Sequence, residues 1–383
     1  MMIRNFLPVG QGAFYLEQFN IHGDRINVVY DCGSFTGMKY IKREIEANLE
    51  HNEMIHAIFI SHLDNDHING IQYLLEYCRV KNIFLPLITE KSKKIILLSY
   101  LLESEQHSED DFFYRFVSEP GRLRELEGVR MYYVDEYSSN NDSFRDDSYY
   151  ENEEQRRINT QSRDGVEQIQ QIIFNENKDK EIKNHWLYIP FNFRQQYRIE
   201  PLIKELEKEF GERIESIDIH GIFRNNVELA KLRHVFSTVK GDFNSNSMTL
   251  FSGIKSEYVR QFLFQRYCYH CFEHPCCYPN VRLSGCLYTG DYNASKNKEW
   301  KALHNAYKDY WKYIGCIQIP HHGSKHNYND NLKNYDAYHV ISAGYNNGHG
   351  HPHAEVVKDF LYNRLFLHVV TEQMGSIMRL VID

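Results

Sequence analysis

Apolar positions in the first hundred residues fall into short blocks broken by polar or glycine-bearing turns. Asn27–Asp31 (Asn-Val-Val-Tyr-Asp) is such a block, and it ends in Asp-Cys-Gly, which predicts a strand followed by a turn. Met38, Ile41, Ile45 and Leu49 then recur at helical spacing. Ala57–Ile60 predicts a second strand that runs straight into Ser61-His62-Leu63-Asp64-Asn65-Asp66-His67. Ile71, Leu74, Leu75 and Cys78 mark another helix, and Asn82–Pro86 another strand. Strands that alternate with helices in this way are the pattern of a layered α/β fold.

The middle of the chain is different. Glu136–Glu154 holds seven acids, one arginine and almost no aliphatic residue, so Ser138–Asp164 is expected to be a mobile loop. Helices should flank it at Lys91–Glu103 and Ile199–Phe210. In the second, Ile199, Leu202, Ile203, Leu206 and Phe210 share one face, and Pro201 is tolerated in the first turn. His185–Phe193 could be a strand. Strand-like blocks return at Ser247–Phe251, Cys286–Thr289, Cys316–Ile319 and Tyr338–Ser342, three of which end near Gly290-Asp291, Pro320-His321-His322 and Gly350-His351-Pro352-His353. The expected organisation is therefore 1–92 as the first half of an α/β domain, 93–240 as an insertion of helices and loop, and 241–383 as the second half, with a cysteine-rich insert at 255–283.

Composition narrows the classes. With 383 residues, 42% hydrophobic and 25% charged, the chain can bury a sizeable core. No apolar run is long enough to span a bilayer, and the first residues lack a basic segment followed by an apolar one, so a cytoplasmic location and no membrane contact are expected. The net charge of -8 excludes a broadly basic surface that coats nucleic acid. Twenty histidines and eight cysteines stand out, and five of the cysteines fall between Cys268 and Cys286.

The sharpest chemistry is His62-x-Asp64-x-Asp66-His67. Two carboxylates and two imidazoles directly after an apolar strand would each cost several kcal/mol to desolvate without a partner, roughly, and a divalent cation removes that cost. A polar solvated loop is the bland alternative for this motif alone. Asp291 and His321-His322 sit at two further strand ends, however, and together these residues could hold two metals bridged by a carboxylate, with a nucleophilic water between them.

At this point the chain resembles the metallo-β-lactamase fold, and within it the soluble hydrolase domains of the ComEC competence proteins. The matching pieces are Val9-Gly10-Gln11-Gly12, Tyr30-Asp31-Cys32-Gly33, Ser61–Gly70, Asn246-Ser247, Thr289-Gly290-Asp291, Pro320–Lys325, Ile341–Gly344, Gly350–His353, and Thr371 with Gly375–Ile377 in the closing strand. They cover under half of the chain. The resemblance implies a four-layer αββα sandwich, with a mostly helical and loop insertion, and two divalent ions (zinc or manganese) at one edge. It gives His62 and Asp64 to a first metal, Asp66 and His67 to a second, Asp291 to both, and the last ligand to His321 or His322, His321 being preferred at the strand end. It also implies catalytic roles for Asp66, His351 and His353, with either histidine reaching a substrate phosphate or protonating the leaving group. Asn246, Ser324 and Lys325 are the expected substrate contacts, and Arg282 and Lys296 could steer a phosphate backbone. Where this chain has Asp64 the wider superfamily has histidine, and a carboxylate there makes manganese or magnesium more plausible beside zinc. A mid-chain histidine of the superfamily has no evident counterpart among His107, His185, His220 and His234, and Asn246 could occupy its neighbourhood.

Cys268, Cys271, His274 and Cys276 (or Cys277) could close a tetrahedral structural zinc, an additional ion to the two above; free thiols packed in a loop are the alternative. Cys32, Cys78 and Cys316 are expected to be small core residues. The functional expectation is a metal-dependent phosphodiesterase that uses a metal-bound hydroxide, most simply a nuclease with DNA as its polymer. The alternatives are a hydrolase of a small ester, lactone or phosphodiester, or a non-catalytic binding module with a vestigial metal site. A partner protein could dock on the insertion.

Overall fold

The computed structural model describes residues 1–21, 23–103, 111–118, 123–137, 156–174, 185–239, 246–263 and 281–382. Among these, two β-sheets face one another and helices cover both outer faces, which is the αββα sandwich. The first sheet runs, from one edge to the other, through Arg282–Leu283, Arg260–Leu263, Met378–Ile382, Met2–Phe6, Gly12–Ile21, Asp24–Ser34, Met54–Phe59, Asn82–Pro86, Arg130–Val134 and Arg156–Ile158. The second runs through Leu367–Val370, Tyr338–Ser342, Ile314–Gln318, Gly285–Tyr288, Asn246–Ile254 and Trp186–Arg194.

The layers follow from side-chain alternation along the strands. Val28 and Tyr30 point between the sheets, where they meet Phe6, Tyr15, Tyr188, Met248 and Tyr288. Val29, between them in sequence, points outward into a core shared with Ile41, Ile45, Leu74, Leu98, Leu202 and Leu232 of the covering helices. On the far side, Leu287 and Ile317 pack on Leu303, Tyr307 and Phe360. Strands buried on both faces lack a polar–apolar alternation, which is why they read as short apolar blocks.

Chain direction positions the chemistry. Asp24–Ser34, Met54–Phe59 and Asn82–Pro86 are parallel in the first sheet. Gly285–Tyr288, Ile314–Gln318, Tyr338–Ser342 and Leu367–Val370 are parallel in the second. The carboxyl ends of both sets open at the same edge, so loops from the two sheets meet there. Met248 N donates to Ser61 O at 2.7 Å and Tyr30 Oη donates to Met248 O at 2.8 Å, pinning the sheets together just beneath that edge.

The expected helices appear at Met38–Asn48, Ile71–Tyr77, Glu90–Glu103 and Glu200–Phe210. Three details differ from the sequence reading. The expected loop 138–164 ends in ordered structure: Arg156–Ile158 is a strand on the first sheet, and a helix begins at Arg163, burying Ile169, Ile173 and Phe174. Residues 138–155 lie outside the described residues, as do Cys268, Cys271, His274 and Cys276. Thr371 and Gly375–Ile377 form the turn before the closing strand, which starts at Met378. Segments of 93–240 also build the sandwich, since Arg130–Val134 extends the first sheet and Trp186–Arg194 edges the second. Cys32, Cys78, Cys286 and Cys316 are free and buried. No helix among the described residues is long and apolar enough to cross a membrane.

Candidate metal centre

The loop after Met54–Phe59 carries Ser61 and His62, and the short helix Asn65–Ile68 that follows carries Asp66 and His67. This helix is held down by glycine: a Cβ on Gly33 would lie 2.5 Å from the Asp66 backbone, so only glycine permits the approach. From the second sheet, Thr289-Gly290-Asp291 leaves the strand Gly285–Tyr288 with Gly290 at φ +52°. Gln318 Oε1 accepts from Thr289 N and Gly290 N at 2.9 and 3.1 Å, fixing that turn. His321 and His322 follow Ile314–Gln318 with φ of 50° and 54°, and Asp31 behind them has φ 55°. Three non-glycine residues in the left-handed region at one locality store strain of order 1–3 kcal/mol each, the kind that persists where function requires it.

Each buried imidazole is oriented by its Nδ1. The Asp31 carboxylate accepts from Ser61 N at 2.7 Å, Ser61 Oγ at 2.7 Å and His67 Nδ1 at 2.8 Å. Because the Ser61 hydroxyl proton is given to Asp31, Ser61 Oγ accepts from His62 Nδ1 at 2.8 Å. His322 Nδ1 donates to the Ser342 carbonyl at 2.8 Å. A carboxylate and a carbonyl only accept, so all three rings carry a proton on Nδ1 and turn Nε2, the nitrogen a metal would take, inward.

Those inner nitrogens converge on Asp291. His62 Nε2, His67 Nε2, His322 Nε2 and Asp291 Oδ1 are buried and make no hydrogen bond. His67 Nε2 lies 3.3 Å from Asp291 Oδ1, and His322 Nε2 lies 3.2 Å from Asp66 Oδ2 and 3.9 Å from Asp291 Oδ1. On the other carboxylate oxygen, His62 Nε2 and His321 Nδ1 stand 3.8 and 3.6 Å from Asp291 Oδ2, while Asp64 Oδ2 is 3.5 Å from His62 Nε2. Inner nitrogens and carboxylate oxygens this close in a buried site need positive charge among them, supplied by protons on the imidazoles or by a cation in their place. A tetrahedron of ligands about 2.1 Å from an ion has edges of about 3.4 Å, so these separations suit a coordination shell. Two groups, His62/His67/Asp291 and Asp66/His67/His322, have ligand atoms all within 4.8 Å of one another. His67 belongs to both groups; its shorter distance to Oδ1 puts it on the Asp66–His322 side.

The charge balance agrees. Burial alone would raise the Asp66 and Asp291 carboxyls, but the surrounding histidines hold both below the usual carboxylate range, Asp291 furthest. Burial would lower His67, and Asp291, Asp66 and Asp31 together raise it well above an ordinary histidine. A set of carboxylates this tightly gathered needs positive charge, and protons on the imidazoles are displaced when a metal supplies it.

With that geometry described, comparison with known families gives one result. Residues 9–128 match the family model of the metallo-beta-lactamase superfamily. The matched span contains Asp31, His62, Asp64, Asp66 and His67, and superfamily members are generally metal-dependent hydrolases. No curated protein matches the chain.

Both adjacent histidines face Asp291, one for each of its oxygens, with His322 buried and His321 about one-fifth exposed. Asp64 stands at the mouth with 44% of its side chain exposed. His351 shares the loop after Tyr338–Ser342, its ring centroid 5.5 Å from that of His321 and 6.2 Å from that of His322. Burial first, then the nearby imidazoles, push His351 down to about 3, so it is a neutral ring. His353 lies further out, accepting from Lys325 N at 3.3 Å, and Lys325 Nζ is paired with Glu355 at 2.8 Å. Ser324 is buried and its Oγ accepts from His326 N. Asn246 starts its strand beside the edge but donates to Asn192 Oδ1 and the Leu87 carbonyl, which turns it into the scaffold. Arg282 sits away from the mouth: its ion-pair partner Asp336 precedes Tyr338–Ser342, at the opposite end of that strand from the Ser342 carbonyl that holds His322.

Among the mid-chain histidines considered, His220 bonds Tyr114 Oη and His234 lies exposed on the helix Asn226–Thr238, and neither joins a ligand group. His185 is likewise exposed, and His107 lies outside the described residues. The sequence reading left two orienting groups without a role, Asp31 and Ser61. Their signal was a buried-strand Asp and a Ser directly before the ligand motif, and nothing local says that they bond one another across thirty residues.

Proposed function

We propose that this protein is a two-metal phosphodiesterase, with DNA as its substrate. Asp291 carries the reading, since its two oxygens face two different ligand sets at 3.3–3.9 Å. One site would be held by Asp66, His67, His322 and Asp291 Oδ1, the other by His62, Asp64, His321 and Asp291 Oδ2. On this assignment His321 supplies the ligand that the mid-chain histidine supplies elsewhere in the superfamily. Bound there, divalent cations supply an activated water and neutralise charge on a phosphoryl oxygen.

The chain's own residues do the rest. Asp31 and Ser61 hold His67 and His62 in the tautomer that leaves Nε2 bare. His351, neutral and above the cluster, is placed to donate a hydrogen bond to a non-bridging phosphoryl oxygen. Three carboxylates among seven ligands form a hard donor set, which suits manganese or magnesium as well as zinc and suits a phosphoryl oxygen as the electrophile's handle. The test is to incubate the manganese- or zinc-loaded protein with plasmid, single-stranded DNA, RNA and bis(p-nitrophenyl) phosphate beside His62→Ala/Asp291→Ala. Polymer cleavage absent from the double variant is expected; turnover of only small esters or lactones would replace the reading. The net charge of -8 favours that second reading, in which the same ligands serve a small ester, lactone or phosphodiester.

A further inference from the structure

The ligand cluster is flanked by aromatic side chains that the core does not use. Phe35 is 46% exposed and Tyr345 is 74% exposed, although both lie at the ends of buried strands. Gln11 brings their loops together. It accepts from Phe35 N at 2.7 Å through its carbonyl, donates its own N–H to Thr36 Oγ1 at 2.7 Å, and accepts from Gly344 N at 3.3 Å through its side chain. The backbones touch so closely that a Cβ on Gly344 would lie 2.9 Å from Thr36 Oγ1. Tyr345 N is in turn tied to Glu372 at 2.9 Å. Two rings that would be worth burying thus stand in solvent on firmly tied backbone.

Both loops are continuous with the metal centre. Phe35 is two residues beyond Gly33, which packs on the Asp66 backbone, and Tyr345 is three residues beyond Ser342, whose carbonyl holds His322. The helix Met38–Asn48, which starts just after Phe35, carries Lys39 and Lys42, both exposed, with their ammonium groups 4.8 Å from the Tyr40 ring and 4.7 Å from the Tyr73 ring. Across the mouth, the half-exposed ring of Tyr197 lies 4.5 Å under Lys296 Nζ, close to the Asp291 turn because Gln195 Nε2 donates to Asn293 O at 3.2 Å. Polar loops would serve a small substrate equally well. Exposed aromatics on tied backbone, with lysines on the next helix, are what unpaired bases on a phosphate backbone require.

We infer that Phe35 and Tyr345, with Lys39 and Lys42 on the helix that follows Phe35, form a stacking platform that binds single-stranded nucleic acid and leads its backbone past the metal centre. This rests on the phosphodiesterase reading only for what happens after binding. A duplex keeps its bases stacked on one another and offers the platform only its backbone, so single strands are preferred.

The test measures fluorescence anisotropy of a labelled twelve-nucleotide thymidine oligomer and of a twelve-base-pair duplex with the full chain. The single strand should bind at least tenfold more tightly than the duplex. Phe35→Ala/Tyr345→Ala should lose tenfold or more for the single strand, in line with about 1–3 kcal/mol per stacked base, while Phe35→Trp/Tyr345→Trp should retain it. Lys39→Ala/Lys42→Ala should weaken binding and flatten its salt dependence. Both aromatic variants should melt within a few degrees of the parent, as expected for exposed side chains. Equal binding of strand and duplex, or an unchanged affinity in the alanine variant, overturns the platform. Hydrolysis of bis(p-nitrophenyl) phosphate by the unmodified protein is read separately: its absence, with strand binding intact, refutes the phosphodiesterase reading and leaves the platform standing.

Discussion

Two groups of buried charge lie between the same two sheets, and they are built in opposite ways. Around Glu17, four donors fill four lone pairs: Arg4 Nε at 2.7 Å and Tyr288 Oη at 2.8 Å on Oε1, Tyr188 Oη and Ser252 Oγ each at 2.6 Å on Oε2. Arg4 gives three of its four remaining N–H groups to Gln261 Oε1 of the first sheet, the Ser252 carbonyl of the second and the Ser284 carbonyl. Nothing is left there for a ligand. Around Asp291, by contrast, His62, His67 and His322 are bonded through Nδ1, while their Nε2 atoms turn inward without a hydrogen-bond partner. Satisfied buried charge reads as a clamp, and half-satisfied buried charge with converging lone pairs reads as a site.

Exchange experiments break this comparison if it is wrong. The largest effect is expected at Asp291→Ala, which should lower hydrolysis by about a thousandfold or more and remove bound metal while leaving the melting temperature of the metal-free protein nearly unchanged. Arg4→Met should do the reverse. An uncompensated Glu17 costs about 3–5 kcal/mol on urea unfolding, but whatever protein remains folded should bind metal with the parent's stoichiometry. Asp31→Asn replaces the carboxylate that orients His67 directly and His62 through Ser61, and metal affinity, followed by chelator competition, should fall about 10- to 100-fold.

Proton linkage sharpens the contrast further. Because the carboxylates raise His67 and a metal must displace its proton, metal affinity should fall as pH drops and each binding event should release protons into a weakly buffered solution. Proton-neutral binding would mean that the imidazoles are not ligands. The smallest effect belongs to Lys325→Ala: its ion pair with Glu355 is exposed, so the midpoint of urea unfolding should stay at the parent's value.

Most of the site was legible in the sequence because its parts sit at strand ends, where a polar residue after an apolar block is conspicuous. His62, Asp66, His67, Asp291 and His322 are of this kind. The sharing of Asp291 between His321 and His322 was not legible, since it depends on a left-handed turn at both histidines and not on residue type. The strand Gly12–Ile21 was missed for a different reason. Both its faces are buried, and Glu17 is consumed by Arg4 and by residues more than 170 positions away, so no alternation survives to be read. Arg156–Ile158 was hidden beside an acidic stretch whose composition argued for a loop, although a strand needs only a neighbour, Arg130–Val134, to pair with. Local pattern reports what a segment prefers; partners distant in sequence decide what it does.

The central claim is that the two oxygens of Asp291 serve two ions. Metal content after saturation with manganese or zinc and removal of excess, measured by elemental analysis on the parent, on Asp64→Ala/His321→Ala and on Asp291→Ala, tests it directly. The account predicts two ions per chain in the parent, one in the double variant and fewer than one in Asp291→Ala. A parent that binds one ion, or a double variant that still holds two, would contradict it.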